Sequence, residues 1–180
     1  MSGLLVAVVG PSGVGKDTLI AALARARPDI RVVRRIITRA ADAGGEAHQA
    51  MTEAEFEAER AAGGFAFHWR AHGLSYAVPA SIDADLALGH VVVFNGSRRA
   101  LPAIRRACPP LLVLMVTAAP EALAQRLQAR GREDAEAIAA RLRRAAMAAP
   151  DGAVVIRNDT TPQAALAQML AAISRATERV

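Results

Sequence analysis

Six consecutive apolar residues, Leu4–Val9, run straight into Gly10-Pro11-Ser12-Gly13-Val14-Gly15-Lys16, and helical periodicity begins at Asp17. An unbroken apolar run marks a central parallel strand covered on both faces. The Gly-x-x-Gly-x-Gly spacing that follows excludes the Gly-x-Gly-x-x-Gly turn of a dinucleotide fold. Glycines so placed let successive backbone N–H groups turn inward around phosphate oxygens, and the helix start adds partial positive charge. Lys16 would reach the β- and γ-phosphates as a mobile point charge. It is the one lysine among 22 basic residues, and it stands where arginine's rigid fork would fit poorly. The loop is expected to hold the triphosphate of a nucleotide through residues 10–16, together with Asp17 and Thr18, which open the helix.

The rest of the chain repeats the same grammar. Val91–Phe94, Leu111–Val116 and Ala153–Ile156 read as core strands, and Ile30–Ile37, interrupted by arginines, as an edge strand. Helical segments fall between them: Asp17–Arg27, Ser81–Leu88, Leu101–Ala107, Glu121–Ala129, Glu133–Ala148 and Pro162–Thr177. Such alternation implies right-handed crossovers and an α/β fold with a five-stranded parallel sheet between two helix layers. The stretch from Thr38 to Pro79, with Gly44-Gly45, Gly63-Gly64, a short acidic helix (Thr52–Ala62) and five of the six aromatics, breaks the alternation and reads as a substrate-covering insert. The expected layout is a single domain of 180 residues: a core of 1–37 and 80–180, an insert of 38–79, and a short lid at about 128–137.

Composition narrows the partners. The net charge is +5, which suits a nucleic acid or a phosphate-rich substrate, or reflects a bias toward Ala and Arg. No basic run of five occurs, and the aromatics cluster away from the arginines, which argues against a nucleic-acid platform. No apolar run approaches the roughly 20 residues of a membrane span, and Met1-Ser2-Gly3-Leu4 has no basic leader region. A lone Cys108 suits a reducing cytosol. Oligomeric state is not legible; a homodimer is one option.

One position departs from the strict loop pattern. The residue after Lys16 is Asp17 rather than Ser or Thr, whose hydroxyl would ligate Mg²⁺. Asp17 either complements the helix dipole or helps hold Mg²⁺ with its carboxylate. The strand Val91–Phe94 ends in Asn95, where such enzymes often place a metal-holding aspartate. The negative charge is therefore expected to have moved from the strand onto the loop.

The loop resembles that of guanylate kinases, and the likeness continues through Thr38-Arg39, Gly45-Glu46, His72-Gly73-Leu74-Ser75-Tyr76, Gly89-His90-Val91-Val92, Arg126-Leu127, Arg130-Gly131-Arg132-Glu133 and Val155-Ile156-Arg157-Asn158-Asp159. Within that fold, Gly15-Lys16-Asp17-Thr18, the run Thr38 to His48, Phe67 to Leu74 and Asn95-Gly96-Ser97-Arg98 are more similar to the ribose 1,5-bisphosphate phosphokinases of phosphonate degradation. The resemblance implies ATP and Mg²⁺ as cofactors, a phosphorylated sugar as acceptor, and transfer of a phosphoryl group onto an existing phosphate. The alternatives are a GMP kinase or a binding module without activity. Guanylate kinases follow Thr-Arg with a Pro-Arg pair that grips GMP; here Ala41 and Asp42 stand instead.

Lys16, Arg39, Arg130, Arg132 and Arg141 are the candidate catalytic cations: Arg39 and the pair Arg130 and Arg132, which flank Gly131, by the same resemblance, Lys16 from the loop and Arg141 from its place on a helix. Arg126 and Asn158 join the loop at the nucleotide. Arg39, Asp42, Glu46, His48, Tyr76, Asn95 and Ser97 are the acceptor-side candidates. Asp42 would accept hydrogen bonds from ribose hydroxyls or cap a loop, Glu46 and His48 would order the insert or touch the sugar, and Trp69 and Tyr76 are expected to pack within the insert.

Overall fold

In the computed structural model, residues 3–40, 47–107, 110–129 and 148–179 are described, with the backbone alone for 126–129. The chain runs β1 (Leu4–Val9), α1 (Lys16–Ala26), β2 (Arg31–Val32), β3 (Ile36–Ile37), β4 (Gln49–Ala50), α2 (Glu53–Ala61), β5 (Phe65–Ala71), β6 (Leu74–Pro79), α3 (Ile82–Ala87), β7 (Val91–Asn95), α4 (Leu101–Ala107), β8 (Leu111–Thr117), α5 (Pro120–Ala129), β9 (Val154–Arg157) and α6 (Pro162–Thr177). The main sheet is five-stranded, in the order β2-β7-β1-β8-β9, and every pairing in it is parallel.

Alternation along β1 assigns the two faces. Leu4, Val6 and Val8 pack with Leu19 and Leu23 of α1 and with Met169 and Ile173 of α6. Leu5, Ala7 and Val9 pack on the other face with Ile82 of α3, Leu101 and Ile104 of α4, and the hairpin residues Phe67, Trp69 and Val78. All six residues of β1 are buried, as a strand with helices on both faces requires. Its carboxyl end therefore emerges at the centre of the sheet, flanked by the ends of β7 and β8, and that edge is where ligands bind in folds of this kind.

The second sheet has the order β4-β3-β6-β5. β5 and β6 form a hairpin closed by His72 (φ 54°) and Gly73 (φ 74°); left-handed backbone at both central residues matches the twist of paired strands. Period-two burial sorts β5: Phe67 and Trp69 point into the core, whereas His68 and Arg70 are exposed. Phe56 of α2 covers the opposite face with Ile36 and Ala77.

Two expectations are corrected. Ile30–Ile37 is not one strand: Arg31–Val32 closes the edge of the main sheet, and Ile36–Ile37 belongs to the second sheet. The arginines at 34 and 35 mark the crossing between sheets, where an apolar run cannot remain buried on both sides. Val154–Arg157 is an edge strand rather than a central one, with Val155 46% exposed. The helix expected over Glu133–Ala148 lies almost wholly outside the described residues.

α2 begins with a complete capping box: Thr52 N donates to Glu55 Oε2 at 2.7 Å, and Glu55 N donates to Thr52 Oγ1 at 3.2 Å. Thr52→Ala removes the side-chain half of it, and a loss of about 1 kcal/mol is expected, measurable as a lowered urea midpoint with unchanged m.

Candidate active site

The loop between β1 and α1 owes its shape to backbone conformations that side chains resist. Gly10 and Gly15 have φ of 152° and 98°. A Cβ on Gly10 would lie 2.4 Å from the Val116 carbonyl oxygen of β8, and one on Gly15 would lie 2.7 Å from Asn158 Nδ2. Val14, fully buried, anchors the loop in the core between them. Lys16 Nζ folds back over the loop and donates to the carbonyls of Gly10 and Pro11, both at 3.0 Å. Ser12 and Thr18 are exposed, and Gly13 is half-buried.

Each neighbouring strand end contributes one support. Asn158, after β9, is 4% exposed; its Nδ2 donates to the Val14 carbonyl at 2.9 Å and its N–H to the Thr117 carbonyl at 2.8 Å. It buttresses the loop from beneath, a role its position in the sequence did not disclose. Asp159 ties the loops after β8 and β9, accepting from Ala119 N at 2.6 Å and from Arg157 Nε at 3.1 Å. At the end of β7, Asn95 Nδ2 donates to Asp17 Oδ1 at 2.8 Å. The two departures from the usual loop pattern, 78 residues apart, thus meet in space.

That pair bears on a divalent cation. Among the described residues no cluster of three or more His, Cys, Asp or Glu side chains occurs. Mg²⁺ suits such a site, because it keeps several waters and takes one or two carboxylates plus nucleotide phosphates. Asp17 is exposed, its Oδ1 is fixed by Asn95, and its second oxygen accepts no hydrogen bond among the described residues. The donor set therefore fits one hard-oxygen ligand beside the phosphate loop.

On the acceptor side, Arg39 and His48 clasp each other. Arg39 Nη2 lies 3.3 Å from His48 Nδ1, and His48 Nε2 lies 3.2 Å from the Arg39 carbonyl. With a proton on Nε2 and none on Nδ1, the ring would accept from Arg39 Nη2 and donate to the Arg39 carbonyl. Arg39 Nε is buried with no hydrogen-bond partner among the described residues. Thr38 Oγ1 accepts from Ser75 N at 2.8 Å, fixing the strand that leads to Arg39. A cleft of about 470 Å³ beside Arg39 is lined by Thr38, Met51, Glu53, Glu55 and Gly73 but by no residue of the phosphate loop. Tyr76 packs against Trp69 as expected, its ring parallel to the indole (7° between planes, centroids 5.5 Å apart), and the Arg35 guanidinium carbon lies 5.2 Å and 5.5 Å from the two ring centroids. Ser97 is half-buried just past β7. Asp42, Glu46, Arg130, Arg132, Arg141, Cys108 and most of the expected lid lie outside the described residues, as does the side chain of Arg126.

Two arginines at this edge escaped the sequence reading. Arg35 is 9% exposed; its signal was an arginine inside an apolar run, two residues before the Thr-Arg strand end. Arg98, three residues past Asn95, is half-buried with Nη1 fully covered, and burial pushes its pKa down.

The comparisons with known proteins agree with this architecture. A family profile described as "AAA domain" matches residues 5–150. The chain is 49% identical over 177 residues to the ribose 1,5-bisphosphate phosphokinase PhnN of Acidiphilium cryptum, covering 97% of this chain and 94% of that one. It is also 49% identical over 184 residues to the bifunctional ribose 1,5-bisphosphokinase-thymidine phosphorylase of Azorhizobium caulinodans; the match takes in 99% of this chain but only 27% of that longer protein. Among solved structures, guanylate kinase from Anaplasma phagocytophilum superposes with a TM-score of 0.69 at 17% identity, over 97% of this chain and 86% of the other, which shows the fold alone.

Asn95→Asp would set two carboxylates against each other and push one above its ordinary value. The unfolded chain keeps a value near 4, so without Mg²⁺ the variant's stability deficit is full at pH 7 and vanishes as pH falls below about 4. Thermal melts of variant and parent across that range check it; a deficit independent of pH would contradict the contact. With its loop, its supports and its relatives together, the chain belongs to the ribose 1,5-bisphosphate phosphokinase PhnN family, within the guanylate-kinase-like P-loop fold.

Proposed function

We propose that the protein transfers the γ-phosphoryl group of ATP to the 1-phosphate of ribose 1,5-bisphosphate, giving ADP and 5-phospho-α-D-ribose 1-diphosphate. Membership of the family carries the acceptor, and the geometry of residues 10–18 supports the donor. An oxygen of the 1-phosphate forms the new bond to Pγ, and the bond from Pγ to the β,γ-bridging oxygen breaks with its electron pair passing to ADP. The acceptor is already an anion near neutral pH, since the second pKa of such a phosphate is about 6. No general base is required. The barrier is bringing two polyanions into line, and positioned positive charge lowers it.

In this reading the loop amides and Lys16 hold the donor phosphates, and the Lys16 ammonium leaves the loop carbonyls for the β- and γ-phosphates. Asp17, steadied by Asn95, would be the protein's ligand for Mg²⁺, which when bound neutralises charge on the β- and γ-phosphates. Arg39 faces the acceptor, held in place by His48. Arg130 and Arg132 are assigned to closing over ATP and excluding water by the family resemblance, and Arg126 and Arg141, from their places on helices, to the phosphates. The insert from 38 to 79 would be the acceptor-binding part and residues 128–137 the lid. We place the enzyme in the cytosol with a phosphorylated sugar as its substrate and no nucleic-acid partner; among the described residues no helix is long and apolar enough to cross a membrane.

Phosphorus NMR of the protein with ATP, Mg²⁺ and either ribose 1,5-bisphosphate or GMP tests the assignment. A new diphosphate on the sugar C1 is the expected product; GDP formation with no sugar diphosphate would overturn it. Lys16→Met is expected to lower kcat/KM by about 10²–10³-fold, measured by steady-state kinetics.

A further inference from the structure

We infer that the cleft beside Arg39 takes the pentose ring of the acceptor, and that the Glu55 carboxylate reads a ring hydroxyl there, so setting the preference for ribose over its deoxy analogues. This inference rests on the sugar-bisphosphate reading of the site.

Hydrogen-bonded elements make the walls. The cleft, about 470 Å³, opens on Thr38 and Arg39 past β3, on Met51 and the start of α2, and on Gly73 in the β5–β6 turn. That volume lies within the roughly 300–1,000 Å³ of small-molecule sites. Thr38 N donates to the Ser75 carbonyl at 3.0 Å and Met51 N to the Ile37 carbonyl at 3.2 Å, so strand pairing fixes two of the walls. The third is α2, held at its first turn by the capping box and by Ser75 Oγ, which donates to Glu53 Oε1 at 2.9 Å.

The hydrogen-bonding groups left unused on these walls are of both kinds. Glu55 is exposed; Thr52 N and Thr52 Oγ1 donate to its Oε2, both at 2.7 Å, and its Oε1 accepts no hydrogen bond among the described residues. Those two bonds, the backbone one foremost, hold its carboxyl below the ordinary value, so it is ionised at neutral pH. Thr38 Oγ1 accepts from Ser75 N at 2.8 Å, and its own proton goes to no acceptor among the described residues. Glu53 differs, its carboxylate being taken up by Ser75 Oγ and the exposed Arg70 guanidinium.

The chemistry then selects a hydroxyl over a phosphate. Dianionic phosphate oxygens only accept, and the carboxylates at the start of α2 repel them. A sugar hydroxyl both donates and accepts, which matches an ionised carboxylate and an unused hydroxyl proton in one cleft. Its bond to the carboxylate is charge-assisted and so among the stronger ones available. With phosphates on C1 and C5, the furanose ring keeps only its 2- and 3-hydroxyls, and these are the groups that Glu55 can read. Arg39 lines the same cleft, which places the ring beside the cation assigned to its phosphate.

The test pairs a residue with a substrate group. Calorimetry measures binding of ribose 1,5-bisphosphate and of its 2-deoxy and 3-deoxy analogues to the parent, Glu55→Ala, Glu55→Gln and Glu57→Gln, with kcat/KM for each acceptor alongside at fixed ATP. The parent is expected to prefer the ribose compound by about 10–100-fold over the analogue that lacks the hydroxyl Glu55 takes. Glu55→Ala is expected to bring that ratio close to one, with KM for ATP unchanged. Glu55→Gln keeps the capping box and an uncharged acceptor; it is expected to lie between them and decides the matter if the alanine variant does not fold. Glu57→Gln changes a carboxylate of the same helix that does not line the cleft, and is expected to leave the ratio intact. A purely structural Glu55 would lower affinity for all three acceptors by one factor; that result, a ratio that falls equally in Glu57→Gln, or a parent without preference against either analogue overturns the inference. Failure of the parent to turn over ribose 1,5-bisphosphate would instead overturn the proposed function, and a Glu55-dependent binding ratio would still uphold the inference.

Discussion

The phosphate loop can hold its shape only where three strand ends and one buried amide press on it together. Its path needs left-handed backbone at Gly10 and Gly15, and both glycines are hemmed in, one by a carbonyl of β8 and the other by Asn158. Val14 is locked from two directions, its side chain in the core and its carbonyl on Asn158. A buried polar pair of this kind is worth more than its hydrogen bond alone, because breaking it strands a desolvated carbonyl. Main-sheet order, loop shape and the position of Lys16 therefore form one construction.

The Asp17–Asn95 contact joins the two departures from the usual loop pattern. A neutral amide at the end of β7 can orient the Asp17 carboxylate by donating to it, where a second carboxylate would repel it. This explains why both departures from the usual pattern occur in one chain: an aspartate on the loop is compatible with the strand only when the strand residue is a donor. We propose on that basis that the magnesium ligand has moved from β7 to the head of α1.

Much of this was legible in the sequence, and the gaps have physical reasons. β1, β7 and β8 were readable because burial on both faces leaves an unbroken apolar run. The two departures at Asp17 and Asn95 were readable because each violates the same chemical pattern, but their hydrogen bond was not. Ile30–Ile37 misled because its two halves serve different sheets, and a crossing between sheets looks like one interrupted strand. The β5–β6 hairpin left a period-two trace in Phe67, His68, Trp69 and Arg70, and a turn at His72-Gly73, which an eye trained on the parallel sheet passes over. Asn158 and Arg35 were opaque for another reason. Their contacts are with a carbonyl 144 residues away and with two rings brought together by strand pairing, and no local spacing encodes either.

The most direct test of the relocated carboxylate is to move it back. Asp17→Ser restores a hydroxyl to the loop, Asn95→Asp restores a carboxylate to the strand, and the Mg²⁺ dependence of turnover is measured for each variant and for the pair. If the two positions form one metal-holding unit, Asp17→Ser raises the Mg²⁺ concentration required, and adding Asn95→Asp returns it close to that of the parent. A double variant as defective as Asp17→Ser alone would contradict the claim.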